Sequence, residues 1–258
     1  MKLLLHACCG PCSLEPVRLL QQAGHDITIA FINSNIHPRA EYDLRLATLR
    51  GWAQEENLPV VEGTYAPSCW EETAGRIAAE GVREREERCR ACYRLRFQEA
   101  ARYAANNGFD ALGTTLTVSP YQYTDIIREE LEAAGHAYGI ETLFEDFRPL
   151  YDEATRRSRT LGMYRQNYCG CRISQAEAAA QRAERKRLRE AEKEAKRAAN
   201  AERRTAEEHA REVQQAEKRA YAEKQAEKRR ARKAFRATMQ EEPSANHTET
   251  TKEENTRS

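Results

Sequence analysis

The chain has no apolar run approaching the ~20 residues that cross a bilayer, which excludes a membrane-spanning helix. Its N-terminal apolar run, Met1 to Leu5, is broken at once by His6 and two cysteines, so it is too short for a secretory signal. The expectation is a cytoplasmic location with no membrane partner. Residues 175–240 have little apolar content besides Ala, and Leu188, Val213, Tyr221 and Phe235 are too sparse for a heptad seam. That argues against a coiled coil. Net charge is nearly absent too, +1 over 258 residues, but the average hides a split. Residues 1–174 carry 20 basic and 24 acidic side chains, residues 175–240 carry 20 and 12, and residues 241–258 carry 2 and 5. Three parts follow: a globular domain over 1–174, a basic helical extension over 175–240, and a Ser/Thr/Asn/Glu-rich tail over 241–258 expected to be disordered. A basic arm suits a polyanionic partner, and a solvated charged helix accounts for it equally well.

What the chain does have is cysteine, at positions 8, 9, 12, 69, 89, 92, 169 and 171. In a cytoplasmic protein such groups point to metal binding or catalysis rather than to structural disulfides. Cys9-Gly-Pro-Cys12 alone reads as a thioredoxin-type pair, with a helix opening at Ser13. Two Cys-x-x-Cys groups also suit zinc, though the gap from Cys12 to Cys89 far exceeds zinc-ribbon spacing. Four thiolates from two segments suit a [4Fe–4S] cluster equally. Cys89 and Cys92, three apart at the expected start of a helix, point to one side, where a helix N-terminus favours negative charge. Spacing alone does not separate iron from zinc. Cys169-Gly-Cys171 is either a labile, redox-active disulfide or a further pair of ligands. Cys69, beside Trp70, reads as structural.

The periodicity alternates strands with helices. Strands are expected at 2–6, 26–33, 58–63 and 109–117, with a short extended piece near 138–143. Helices are expected from Ser13, as a capping residue, to about Ala23; from Pro38 to about Glu56; from Pro67 to Ala79; from Arg90 to Asn107 after a charged loop; over 122–134, stopped by Gly135; over about 152–163; and along 175–240. This is an α/β, Rossmann-like, mainly parallel sheet with flanking helices, followed by a long charged helix. Ligand sites in such sheets lie beyond the carboxyl ends of the strands, which here means the loops 7–12 and 113–120.

Four segments in series, "LLLHACCGPCS", "RCRACYRLR", "TTLTVSPY" and "YRQNYCGC", resemble the QueH-type epoxyqueuosine reductases over roughly residues 2–174. The resemblance implies a cobalamin-independent, two-electron deoxygenation of epoxyqueuosine to queuosine at the wobble position of tRNA. It implies a [4Fe–4S] cluster on Cys8, Cys9, Cys89 and Cys92, a redox-active disulfide between Cys169 and Cys171, and a second iron for which Cys12 is a candidate ligand. The partners would be the modified tRNA and an external electron donor. The alternatives are a thioredoxin-like dithiol oxidoreductase using Cys9 and Cys12, and a zinc-stabilised RNA-binding protein.

Other residues have two readings each. His6, at a strand end, is a donor to substrate or sulfur, or a packed histidine. Tyr93, Arg94 and Arg96 are phosphate contacts or ordinary helix surface. Thr114, Thr115, Ser119 and Tyr121 lie where a modified base would sit. Tyr164, Arg165, Gln166 and Tyr168 lead into the last cysteine pair, where aromatics can stack on an unpaired base.

Overall fold

The computed structural model describes residues 1–79 and 85–240; the middle of the charged loop expected before Arg90 and the tail after Gln240 lie outside the described residues. The elements run β1 (Lys2–His6), α1 (Leu14–Gln22), β2 (Asp26–Phe31), α2 (Arg39–Glu55), β3 (Val60–Glu62), α3 (Pro67–Trp70), a five-residue π turn (Glu71–Gly75), α4 (Arg76–Ala79), α5 (Arg85–Asn106), β4 (Ala111–Thr114), α6 (Thr124–Tyr138), β5 (Glu141–Leu143), α7 (Tyr151–Thr160) and α8 (Arg172–Gln240). Short 3₁₀ turns sit at Leu116–Val118 and Arg148–Leu150. By compactness the chain divides into Met1–Ala183 and Glu184–Ser258.

The first unit is built on one parallel sheet in the order β3-β2-β1-β4-β5. Side chains alternate across the pleat. Leu3 and Leu5 of β1 therefore pack with Ile27, Ile29 and Phe31 against Val17 and Leu20 of α1 and Tyr42, Leu46 and Leu49 of α2. Leu4 and Leu112 pack on the other face against Phe97 and Ala101 of α5 and Ile127 and Leu131 of α6. Helices cover both faces, as strands with few polar residues require. The strand order reverses between β1 and β4, so the crevice beyond their carboxyl ends is the switch point where ligands bind in this architecture. The loop holding Cys8 and Cys9 begins there, directly after His6, which pairs in register with Thr114.

Three helix boundaries differ from expectation. Ser13 does not cap α1: its hydroxyl donates to Cys9 O at 2.9 Å, four residues back, and so braces the cysteine loop. Gly135 does not stop α6; the stop is Gly139, left-handed at φ +66°. Gly135 lies inside the helix because β5 crosses so close that a Cβ there would meet the Thr142 side chain at 2.2 Å. Finally, α5 is already helical at Arg85, not first at Arg90, which puts Cys89 beyond the first described turn. The field of a helix terminus fades within one turn, so it does not account for a charged cluster at Cys89 and Cys92.

In the second unit the described residues form one continuous helical stretch, exposed almost throughout. Local pairs such as Lys196–Glu192 at 2.6 Å and Arg187–Glu184 at 2.8 Å lie along it. Exposed pairs of this kind contribute a few tenths of a kcal/mol each, so helix-forming composition carries much of the local stability.

Candidate active site

Two groups of sulfur atoms form beyond β1 and β4. In the first, Cys8 and Cys9 are 4.0 Å apart and both buried. The Cys12 thiol is near enough to both to act on their titration. Hydrogen bonds from Cys12 and Cys8, with a third from Gln166, favour the thiolate at Cys9 and hold its pKa well below the ordinary thiol value despite burial. At Cys8, Cys12 favours the thiolate too, but the bond to Cys9 and burial outweigh it and push the thiol up. Gln166 Nε2 is 2.9 Å from Cys9 Sγ.

The second group comes from α5 and the end of the domain. Cys89 and Cys92 face Cys169 and Cys171 closely enough for their charges to interact. Burial pushes Cys89 up to about 11 and Cys92 up to about 12, so at neutral pH both are thiols that a metal would have to deprotonate. Burial also raises Cys171. All eight cysteines are unbridged. Cys69 is exposed, apart from both groups.

The segment carrying Cys169 and Cys171 is held by α2. Arg45, wholly buried, donates through Nη1 to Cys169 O at 2.9 Å and through Nη2 to Tyr168 O at 3.1 Å, and its Nε donates to Glu41 at 2.8 Å. Tyr164 donates to the other Glu41 oxygen at 2.7 Å. His37 N–H donates to Gly170 O at 2.9 Å, and Tyr168 hydroxyl donates to His37 O. Gly170 has φ +146°, and a Cβ there would lie 2.9 Å from the Asn35 amide nitrogen and 3.1 Å from Ile36, so the residue between the two cysteines has to be glycine. Arg88 fixes the start of α8 with a two-pronged bond to Glu177, at 2.8 and 3.0 Å.

Arg96 lies between the sulfur groups. Its charge acts on Cys8 from one side and on Cys92 from the other. It is 1% exposed; Nη2 donates to Asn33 Oδ1 at 2.7 Å, and Nε has no hydrogen-bond partner. Asn33 in turn donates to Ala7 O at 2.8 Å, just before Cys8. A buried cation without an ion pair is costly. Its position among sulfur donors fits a group of net negative charge, as a thiolate-bound iron–sulfur cluster is. The expected ligands Cys8, Cys9, Cys89 and Cys92 are soft donors suited to that group. Among the described residues, no three His, Cys, Asp or Glu side chains converge as the ligands of a single metal ion would.

Several sequence expectations resolve into structural roles. His6 is wholly buried, Nε2 donating to Ile32 O at 3.1 Å and Nδ1 accepting from Thr114 Oγ1 at 3.2 Å. Burial, with the nearby Arg96 charge, brings its pKa down to about 3, so it is a neutral packed histidine. Arg96 and Tyr93 are buried and are not a phosphate-facing surface. Arg94 is more exposed but pairs with Glu130 at 2.9 Å. Thr115 is buried, its hydroxyl without a partner, while Tyr121 is exposed. Arg45 and Gln122 escaped sequence reading. Arg45 follows Glu41 by four residues and looks like an ordinary exposed helix pair, and nothing local marks the loop residue Gln122.

Fold and site define a Rossmann-type α/β protein with a buried, sulfur-rich centre at its switch point. The sequence profile of the family described as "Epoxyqueuosine reductase QueH" matches residues 3–177, and the chain belongs to that family of oxidoreductases. It is 36% identical over 174 residues to the epoxyqueuosine reductase QueH of Acinetobacter baylyi, covering 66% of this chain and 78% of the relative. It is 30% identical over 177 residues to that of Dehalococcoides mccartyi, covering 68% and 93%. Among solved structures it is similar to a "predicted subunit of tRNA methyltransferase" from Methanocaldococcus jannaschii, with a TM-score of 0.42 and 12% identity over 60% of this chain and 75% of that one.

Proposed function

We propose that the chain reduces epoxyqueuosine to queuosine in tRNA, with a [4Fe–4S] cluster held by Cys8, Cys9, Cys89 and Cys92, a redox-active pair at Cys169 and Cys171, and a second iron near Cys12. The family supports the reaction and the substrate. The observation that carries the cluster is Arg96, a buried cation with no ion pair among the described residues, acting on sulfurs of both segments. When bound, such a cluster supplies single electrons at low potential. Gln166 orients Cys9 by its hydrogen bond, and amide donors to ligand sulfur raise a cluster's potential. The chain Arg96–Asn33–Ala7 O sets the height of the Cys8 loop above β1. His6 neither gives nor takes a proton near neutral pH, because both ring nitrogens are bonded within the protein. Opening an epoxide to the alkene consumes two electrons and two protons, so an external reductant is required. Among the described residues no helix is long and apolar enough to cross a membrane.

Anaerobically purified protein is expected to be brown, to hold about four iron atoms with matching sulfide, and to convert epoxyqueuosine in tRNA to queuosine when given a low-potential reductant. Zinc without sulfide would sink the cluster and favour an RNA-binding role. A second reading, a dithiol oxidoreductase, has one observation behind it, the closeness of Cys12 to Cys9. That reading requires Cys12→Ser to abolish turnover in protein without a cluster, whereas the cluster reading expects Cys12→Ser to keep the four-iron cluster.

The basic stretch 175–240, with 20 cations against 12 anions, is proposed to contact tRNA phosphates. Such contacts release counterions and make binding salt-dependent, without reading bases. Truncation after Ala183 is therefore expected to leave iron content unchanged, to weaken tRNA binding at 50 mM salt by about tenfold or more, and to flatten the salt slope. Equal slopes for the full and shortened chains would show that the stretch is only a solvated helix.

A further inference from the structure

The cysteines of the Cys169-Gly-Cys171 pair occupy different environments. Cys169 is partly exposed and Cys171 is buried. Gln122 Nε2 lies 3.6 Å from Cys169 Sγ, and the Tyr93 hydroxyl donates to Gln122 Oε1 at 2.6 Å. The Gln122 amide thus faces Cys169 with both ends: Nε2 can donate to the sulfur, and Oε1, which accepts from Tyr93, lies 3.9 Å from the same sulfur and can accept from its thiol. Cys171 has a different partner. It is the residue before α8, and its Sγ accepts the backbone N–H of Ser174 at 3.3 Å, as the side chain of an N-cap residue does. The Ser174 hydroxyl donates back to Cys171 O at 2.8 Å and lies 3.3 Å from Gly170 N, which closes the turn. A thiolate at a helix N-terminus is stabilised by the N–H groups and the field of the first turn. Burial and the neighbouring Cys169 keep Cys171 a thiol at rest, and the Ser174 bonds offset part of that rise, so a departing sulfur is met by a donor there before it takes a proton; Cys169, partly exposed, is where an incoming thiol arrives.

We infer that Cys169 is the sulfur that exchanges with an external dithiol and Cys171 is the buried sulfur that leaves and returns, with Gln122 positioning Cys169. This rests on the proposed reading of the two cysteines as a redox pair. A thiolate of the dithiol attacks Cys169 Sγ of the oxidised pair. The Cys169–Cys171 bond breaks, and the bonding electrons and then a proton go to Cys171. The second thiol of the donor attacks its own sulfur in the mixed disulfide, forms the donor's disulfide, and releases Cys169 as a thiol. Two electrons and two protons have entered the protein, and the donor is oxidised by the same amount. Gln122 touches the exchanging sulfur through its amide and does not take part in the electron count.

The test uses the full-length, cluster-loaded protein under anaerobic conditions. Reduced protein is exposed to limiting iodoacetamide, and the two cysteines are followed over time by peptide mass spectrometry. Cys169 is expected to alkylate about tenfold or more faster than Cys171, since reactivity follows access and thiolate character. In parallel, Cys171→Ser is expected to trap glutathione at position 169 from glutathione disulfide, and Cys169→Ser is expected to trap none at position 171. Gln122→Leu is expected to slow alkylation of Cys169 severalfold with Cys171 unchanged, while a loosened structure would speed both. Equal labelling rates, or Cys171 reacting first, overturn the inference with the redox pair intact. An oxidised wild-type protein whose peptides lack the Cys169–Cys171 link overturns the redox pair itself, and the inference with it.

Discussion

Cys92→Ala, purified without oxygen, is expected to be colourless, to carry less than a tenth of the wild-type iron, and to be recovered mostly as insoluble protein; Cys89→Ala should behave alike. The reason is topological. The Cys8–Cys9 loop follows β1 and the other two sulfurs ride on α5, so the two ligand pairs are some 80 residues apart in sequence. A metal centre that clasps distant segments adds its binding free energy to folding, on the order of 10 kcal/mol for structural zinc sites, which is comparable to the whole stability of a domain. Without it, Arg96 has no ion pair among the described residues and lies buried among the cysteine sulfurs. Cys169→Ser and Cys12→Ala are expected to keep the cluster, the former while losing turnover. Iron and sulfide assays on the set of variants check this. Retention of the centre by Cys8→Ala together with its loss from Cys12→Ala would reassign the ligands.

Much of the sheet was legible because its strands are short apolar runs set between helices with a clear apolar stripe. Residues 2–6 and 26–33 read as strands on composition alone, the second running two residues past the observed end at Phe31, and Pro38 marked the approach to α2, which begins at Arg39. The break from helix to helix at Pro67–Ala79 was legible as one helix, and its central π turn was not, since one extra residue per turn leaves no compositional trace. Gly135 misled because glycine more often ends a helix than lines a close crossing, and the neighbour that demands it, Thr142, is distant in pattern although near in sequence. The sulfur groups were legible as spacings. Their supports were not, because Arg45, Arg96 and Gln122 look like ordinary surface residues until the fold buries or aims them. Buried arginine has no signature in one sequence: the same helical position reads as solvated unless the opposite wall is known.

Arg96→Met separates the cost of that buried charge from its use. In cluster-free protein the guanidinium is desolvated, donates to Asn33 and leaves Nε without a hydrogen-bond partner among the described residues. Exchanging an uncompensated buried charge for an apolar side chain of similar length is often neutral or stabilising. The exchange also strips Asn33 Oδ1 of its donor, which costs about 1–3 kcal/mol. The two effects oppose, so the cluster-free variant is expected to unfold within about 2 kcal/mol of wild type. The loaded protein should respond very differently. There the cation would be paired with the proposed anionic centre in a buried setting where charges are weakly screened, and removing one partner of such a buried pair costs about 3–5 kcal/mol. Iron should therefore be lost to a chelator more than about a hundredfold more readily from the loaded variant than from wild type, and the potential of whatever centre remains should fall, since a positive charge favours the reduced, more negative state. Arg96→Lys should restore part of both, because it returns the charge without the planar fork that reaches Asn33. Denaturant unfolding of the cluster-free proteins, chelator competition and a redox titration of the loaded ones give the three readings. A cluster-free Arg96→Met that unfolds several kcal/mol more easily, with chelator resistance unchanged once loaded, would make Arg96 a packing residue and remove the observation on which the anionic centre rests.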